Sequence, residues 1–533
     1  MGETTASGER LNDPSKVVYE PARPAILRNF GSTPSEQYLA KLADRSFLNL
    51  WSYANTFIDK KTGGKGDGKE LCDLLVVCGD HVLVFSVKAV TWPAGASEQI
   101  AWKRWYKRAI AKSVDQIRGA ERWIAQFPDR IFLDRQCTHR LPLMLPPPER
   151  QKIHGVVVAL GAGRACREFF GEGIGSLMVT PSIQGDAHWR ANPVAPFAIG
   201  DVDPSGSFVH VLDDATLDIV MQELDTITDL TAYFSKKERL IRSGQLITPY
   251  GEEDLVAYYM THMNQQSEHD FTRPDGSSLG ENNTIGLQTG FYAHFARNPQ
   301  YRAKKEADKT SYVWDRLIEA FTTHMLAGTT IVPDGQPFVL SDLEEGVRHM
   351  AVVSRHLRRM LGDGILEALQ KGTTTDRFTR AFLPGPTEPN KYTAFFFMTL
   401  AAPKFELVGG YEQYRSVRRS MLHTYALAFL HKNPKLKQVV GIATEPPSRD
   451  RGSSEDLIVA YTPQWTPDFL NQLEEQKKVF NIAQPGNYTE YAVQGNEFPE
   501  IARQSPHRVV VDLNRQQRRA SAAEARRKDR KRN

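Results

Sequence analysis

Cysteine is scarce: Cys72, Cys78, Cys137 and Cys166 are the only four in 533 residues, and no two stand in a CxxC pair. That excludes a disulfide framework and a spaced-thiolate zinc site, and it fits a reducing compartment. Long apolar runs are missing too. No stretch of about 18 uncharged apolar residues occurs, so no membrane-spanning helix is expected. The opening MGETTASGERLNDP lacks the basic-then-apolar order of a secretory signal, and Ala6 breaks the myristoylation pattern. The sequence therefore predicts a soluble, cytoplasmic protein with no membrane partner.

A large excess of one charge is also absent. The net charge is +4, yet Asn514–Asn533 holds nine Lys or Arg against Glu524 and Asp529, which leaves the rest of the chain slightly acidic. Basic character sits in the tail, not over the body.

What is present is the composition of a globular protein, 41% apolar and 24% charged. A chain this long exceeds one hydrophobic core. The organisation predicted is a flexible lead-in at 1–30, an α/β domain at 31–243, an α+β domain at 244–510, and a basic disordered tail at 511–533.

The first domain begins at a capping box, Thr33-Pro34-Ser35-Glu36, ahead of Tyr38, Leu39 and Leu42 at helical spacing. A strand is expected over Phe47–Tyr53, then a mobile glycine-lysine loop. Leu71–Cys78 and Val82–Lys88 flank Gly79-Asp80-His81 and read as a hairpin. A helix follows over Trp102–Phe127, with Arg104, Lys107, Arg108 and Lys112 off its apolar stripe, and then a strand over His154–Leu160. The order is helix, strand, strand, strand, helix, strand. In the second domain the pattern predicts helices over Leu340–Leu369 and Tyr411–Lys432 and strands over Tyr392–Leu400, Gln438–Thr444 and Asp456–Tyr461.

Ser86 and Lys88 share one face of the hairpin's second strand. Asp73 lies near the start of the first, so the turn brings its end toward Lys88. A buried carboxylate or ammonium alone is costly, so the two should be paired, metal-bound or solvent-facing.

With Glu36 on the first helix, Asp73 on the second strand, Ser86-Val87-Lys88 on the third and Gln116 on the next helix, this quarter of the chain resembles the PD-(D/E)xK nuclease superfamily. Its restriction-endonuclease-like and Holliday-junction-resolvase-like members are nearest. The resemblance implies a restriction-endonuclease-like core of order αβββαβ and Mg²⁺- or Mn²⁺-assisted hydrolysis of DNA, in a setting of defence or repair. It assigns Asp73 and Glu36 to metal, Lys88 to the attacking water and the developing charge, and Gln116 to support or DNA contact. One position departs: Ser86 stands where a second acidic ligand belongs, and a neutral hydroxyl is a poor ligand for a hard cation. Either Glu70 or Glu36 takes over, or the site is a pseudo-nuclease that binds nucleic acid or a protein partner without cutting.

Plainer readings stand beside these. Glu36 can serve only as the cap, Gln116 as an ordinary helix residue, and Asp73 and Lys88 as a strand end and an edge lysine. His154 and His210 read as satisfied core histidines. Gly161-Ala162-Gly163 lacks the third glycine or lysine of a nucleotide loop and is rejected as one. Glu445, Glu455 and Asp456 read as solvated loop acids, and Arg415, Arg418 and Arg419 as a phosphate-facing or solvated row. In the tail, Arg518, Arg519, Arg526 and Arg527 suit DNA, RNA or an acidic protein surface.

Overall fold

The first turn of the chain's first helix satisfies its own orphan donors. Thr33 accepts the Glu36 N–H on its side chain, Glu36 reaches back to the Thr33 N–H, and Pro34 takes the first helical position of α1 (Pro34–Phe47). The expected strand over Phe47–Tyr53 is displaced. Phe47 closes α1 and packs near Phe85, Leu48 turns the chain at φ 64°, and β1 runs over Ser52–Ile58.

In the computed structural model the described residues are 21, 23–60, 67–171, 173–246, 250–280, 284–286, 290–332, 339–383, 385, 391–401, 410–447, 454–482 and 495–499. The glycine-lysine loop at 61–66, most of the lead-in and the whole basic tail, with Arg518, Arg519, Arg526 and Arg527, lie outside them. The chain is an α/β protein with a mixed main sheet. After β1 come β2 (Lys69–Cys78), β3 (His81–Ala89), β4 (Ile131–Phe132), β5 (Lys152–Leu160), β6 (Met178–Gln184), β7 (Ala198–Asp201) and β8 (Val209–Asp213). The main sheet has the order β4-β1-β2-β3-β5-β8. The first three long strands form an antiparallel meander, while β5 and β8 run parallel to β3. Gly79, at φ 61°, makes the tight turn that joins Cys78 to His81.

A parallel step requires a crossover. Between β3 and β5 it is supplied by α2 (Glu98–Tyr106), a π-helical turn (Lys107–Ala111) and α3 (Lys112–Gln126). The helix thus starts four residues before the expected Trp102 and is not regular throughout. Trp102, Trp105, Ala109, Ile110, Val114 and Ile117 are buried along it.

A small second sheet joins β7, β6 and β9 (Tyr250–Gly251). A third has β10 (Arg377–Phe382), β11 (Thr393–Leu400), β12 (Gln438–Thr444) and β13 (Asp456–Tyr461) in sequential order. Only β11 and β12 are parallel, joined through the helix Gly410–Lys432. The expected helix over Leu340–Leu369 divides into Leu340–Ala351 and Arg355–Gly372, because Ser354 caps the second piece by accepting the Leu357 N–H. The edge strand β10, half-buried throughout, was not expected: RFTRAF has no clean alternation.

One hydrophobic cluster runs from Leu39 on α1 through Trp314 and Leu361 to Ile442 on β12, passing residue 243 without a gap. Polar ties follow the same path: Trp51 donates its indole N–H to Glu344 at 2.7 Å, and Thr322 donates to Asn49 at 2.6 Å. A separate cluster around Phe396, Met398, Leu422 and Leu430 belongs to the third sheet. Among the described residues no helix is long and apolar enough to cross a membrane.

Candidate active site where two strands part

The ladder between β2 and β3 runs from Cys78 opposite His81 to Leu74 opposite Phe85 and stops there. The next step would pair Asp73 with Ser86. Instead the Asp73 carboxylate enters the gap, and its Oδ2 accepts the Val87 N–H at 2.6 Å and the Lys88 ammonium at 3.3 Å. Asp73 is 2% exposed and the Lys88 side chain 36% exposed, so the carboxylate is sealed in while the ammonium stays within reach of solvent. The expected meeting of Asp73 and Lys88 is present.

Behind them, β2 is irregular. Thr56 of β1 pairs with Cys72 and Phe57 with Glu70, which leaves Leu71 without a partner. This bulge re-phases the strand, so Glu70 and Asp73 come to share a face although three residues apart. Asp73 accordingly acts on Glu70 by charge repulsion, and Asn55 of β1 ties Glu70 to the start of α1. The Asn55 Nδ2 donates to Glu70 Oε1 and to Glu36 Oε2, both at 2.9 Å. Asn55 also adopts φ 47°, a left-handed conformation that asparagine tolerates better than most residues and that is costly inside a strand.

Glu36 has the capping role anticipated for its position, through the Ser32 and Thr33 N–H groups, and its Oε2 also accepts from Asn55. Burial works to raise the pKa of Glu36, but the bonds from Asn55, Ser32 and Thr33 outweigh it and hold the carboxyl below its usual value. Glu70 shifts the other way. Burial raises it, and repulsion from Asp73 and Glu36 adds to burial, against the Asn55 bond and the attraction of Lys88. Ser86 is fully buried and donates to Gln116 Oε1 at 2.9 Å, which ties α3 to the site through a neutral pair.

The Asp73 and Glu70 carboxylates both feel the Lys88 ammonium, while Glu36 is joined to Glu70 only through Asn55, and carboxylate oxygens are the hard donors that Mg²⁺ or Mn²⁺ takes. Asp73 and Glu70 fit that role best. Among the described residues, however, no three His, Cys, Asp or Glu side chains are grouped as a ligand set for a metal ion, because Asn55 stands between Glu36 and Glu70.

The basic row is exposed as expected at Arg104, Lys107, Arg108 and Lys112. Lys107 sits over the Trp189 ring at 4.0 Å; Arg104, Arg108 and Lys112 form no ion pair among the described residues.

Several other expectations need correction. His154 is the satisfied core histidine expected, its Nε2 3.0 Å from His81 Nδ1 across the parallel β3–β5 register and its pKa pushed down by burial to about 3, but the buried His210 Nδ1 has no hydrogen-bond partner among the described residues. Glu445 and Asp456 are buried, not solvated. Arg415 and Arg418 face neither phosphate nor solvent: they donate to Asp456 at 2.8 and 2.7 Å, with Arg419 Nη1 at 3.6 Å, because the helix Gly410–Lys432 packs on β13. The rejection of Gly161-Ala162-Gly163 as a nucleotide loop gains a physical reason. Its three N–H groups all donate to the carboxylate of Asp214, which occupies the nest a phosphate would need.

Asn55 is the functional candidate that sequence reasoning missed. Its one signal is a carboxamide in the middle of the fully buried strand Ser52–Ile58. No family model, curated protein or solved structure matches the chain.

Proposed function

We propose that the chain is a metal-dependent nuclease that hydrolyses DNA phosphodiester bonds where β2 and β3 part, within a restriction-endonuclease-like arrangement of elements. The observation that carries this reading is the convergence of Asp73, Glu70 and Lys88 on one face, with Asn55 bridging Glu70 to Glu36. Asp73 and Glu70 would hold Mg²⁺ or Mn²⁺, which neutralises charge on a phosphate and lowers the pKa of a bound water. Glu70 takes the place of the acid missing at Ser86. Lys88, anchored on Asp73 yet partly open to solvent, positions the attacking water and stabilises negative charge as the new P–O bond forms and the old one breaks. The exposed Arg104, Arg108 and Lys112 on the crossover helix supply contacts to the phosphate backbone.

A second reading, a pseudo-nuclease that binds without cutting, is favoured by one observation. Ser86 is fully buried and committed to Gln116, so a neutral pair fills the place of a charged ligand.

Incubating the full chain with plasmid and oligonucleotide DNA in Mg²⁺, Mn²⁺ or EDTA separates the two. Cleavage with either ion and none in EDTA is expected. DNA binding without cleavage under every condition would transfer the conclusion to the pseudo-nuclease.

A further inference from the structure

The surface beside Lys88 carries aromatic rings that the core leaves exposed. We infer that this surface is a platform for unpaired nucleic acid, which rests on the nuclease reading for its purpose but not for its binding. Leaving Lys88, the chain runs through Val90 to Trp92, a half-buried ring stacked on Phe197 at 4.7 Å. Phe197 in turn meets Phe169 at 5.3 Å and Phe170 at 6.3 Å. These two close the helix Gly163–Phe170, are 46% and 40% exposed, and cross edge to face at 5.1 Å. Ile174, 39% exposed, lies beside the same helix, its carbonyl accepting from Arg167 at 3.1 Å. Contiguous exposed apolar side chains of this size mark an interaction surface.

The sheet fixes where the patch lies. Lys88 pairs with Ala159 and Ala89 with Leu160, so the helix that follows β5 starts at the same end of the sheet as the candidate site. That helix also carries charge. Arg164 and Arg167, both exposed, line an open cavity of about 260 Å³ together with Gly161, Ile174 and Asp214. Asp214 fills the backbone nest of Gly161, Ala162 and Gly163, so an anion at this cavity would be met by Arg164 and Arg167 at its rim and not by those N–H groups. The pair between Arg164 and Glu168 is on the open surface, where such pairs hold little energy and release easily.

Partly exposed rings on the same helix as two guanidinium groups suit a strand whose bases can stack while its phosphates are neutralised. In a duplex the bases stack on one another and offer no free face. An apolar protein partner would gain nothing from the arginines on this helix, whereas a polyanion gains from them and from the basic C-terminal sequence.

Fluorescence anisotropy of the full chain in EDTA tests this, with labelled oligothymidine of about 15 nucleotides and a duplex of equal length. Wild type should prefer the single strand. F169A/F170A should weaken that binding by about 10-fold or more with duplex affinity unchanged, while F169Y/F170Y, which keeps the rings, should bind as wild type. R164A/R167A should weaken single-strand binding and flatten its salt dependence. Unchanged single-strand affinity in F169A/F170A overturns the platform, as does an equal loss on duplex. A change of oligomeric state in that variant with oligonucleotide binding intact would assign the patch to a protein contact and overturn it too. EDTA silences cleavage, so ring-dependent binding by a chain that never cuts keeps this inference and removes the nuclease reading. Mg²⁺-dependent cutting of duplex with no ring-dependent binding does the reverse.

Discussion

Replacing Asp73 by asparagine removes one charge and keeps the shape. The Val87 N–H, now 2.6 Å from Oδ2, still finds an amide oxygen and is not orphaned, while the new NH₂ takes the place of Oδ1. Lys88 loses its anion, but with 36% of its side chain exposed the ammonium can turn to water. A pair with one partly exposed member contributes about 0–1 kcal/mol, and relief of the repulsion on Glu70 acts in the opposite direction. Asp73→Asn should therefore unfold within about 1 kcal/mol of wild type. Asp73→Ala differs, because it leaves the Val87 N–H unpaired in a sealed position, at a cost of about 1–3 kcal/mol. Both should lose activity by about 100-fold or more, the order seen when one preorganised group is removed from a reacting centre. Urea unfolding followed by tryptophan fluorescence measures the first quantity, and plasmid nicking in Mg²⁺ the second. An Asp73→Asn protein that nicks at the wild-type rate would refute the assignment of this carboxylate, whatever its stability.

Asn55→Gly and Asn55→Ala should both weaken Mg²⁺-dependent cutting by freeing Glu36 and Glu70; alanine should be less stable than glycine by about 1 kcal/mol because of the left-handed backbone, and equal unfolding midpoints would argue against that strain. Ser86→Glu, which adds a carboxylate on the face of Lys88, should raise metal affinity or cutting; calorimetric titration with Mn²⁺ and the nicking assay check this, and no gain in either would speak for the pseudo-nuclease. Burial pushes Glu253 up to about 8, with Asp254 and Asp213 adding repulsion, so the folded chain keeps a proton that the unfolded chain releases near 4.5. Its contribution is complete below that lower value and is lost as pH rises toward 8, at up to about 1.4 kcal/mol per unit. Glu253→Gln should flatten this fall between about pH 5 and 8, and parallel pH profiles for the two proteins would show that the carboxyl does not titrate there.

Local chemistry made much of the fold legible. The capping box at Thr33–Glu36, the glycine turn at Gly79 and the limits of β12 and β13 all follow from neighbours in sequence. Asp73 and Lys88 were legible for the same reason, since a tight hairpin fixes which ends meet. The place of Glu70 was not, because it depends on a bulge at Leu71 that appears only when β1 imposes its register. Asn55 was hidden by the same dependence. The partners of Arg415 and Arg418 lie some forty residues away on β13, beyond the reach of any periodicity. The His81–His154 contact likewise exists only through the parallel pairing of two distant strands.

The cluster that passes residue 243 without a break has a consequence for how this chain can be taken apart. A gene cut there would leave the indole of Trp51 without Glu344, and it would strip Trp314, Leu361 and Ile442 from the packing around Leu39 and Phe47. The freed fragment would present that face to water and aggregate, so the half that holds Asp73 and Lys88 cannot be borrowed as a portable cassette. Recombination at this point would meet the same barrier, because it would separate side chains that pack on one another.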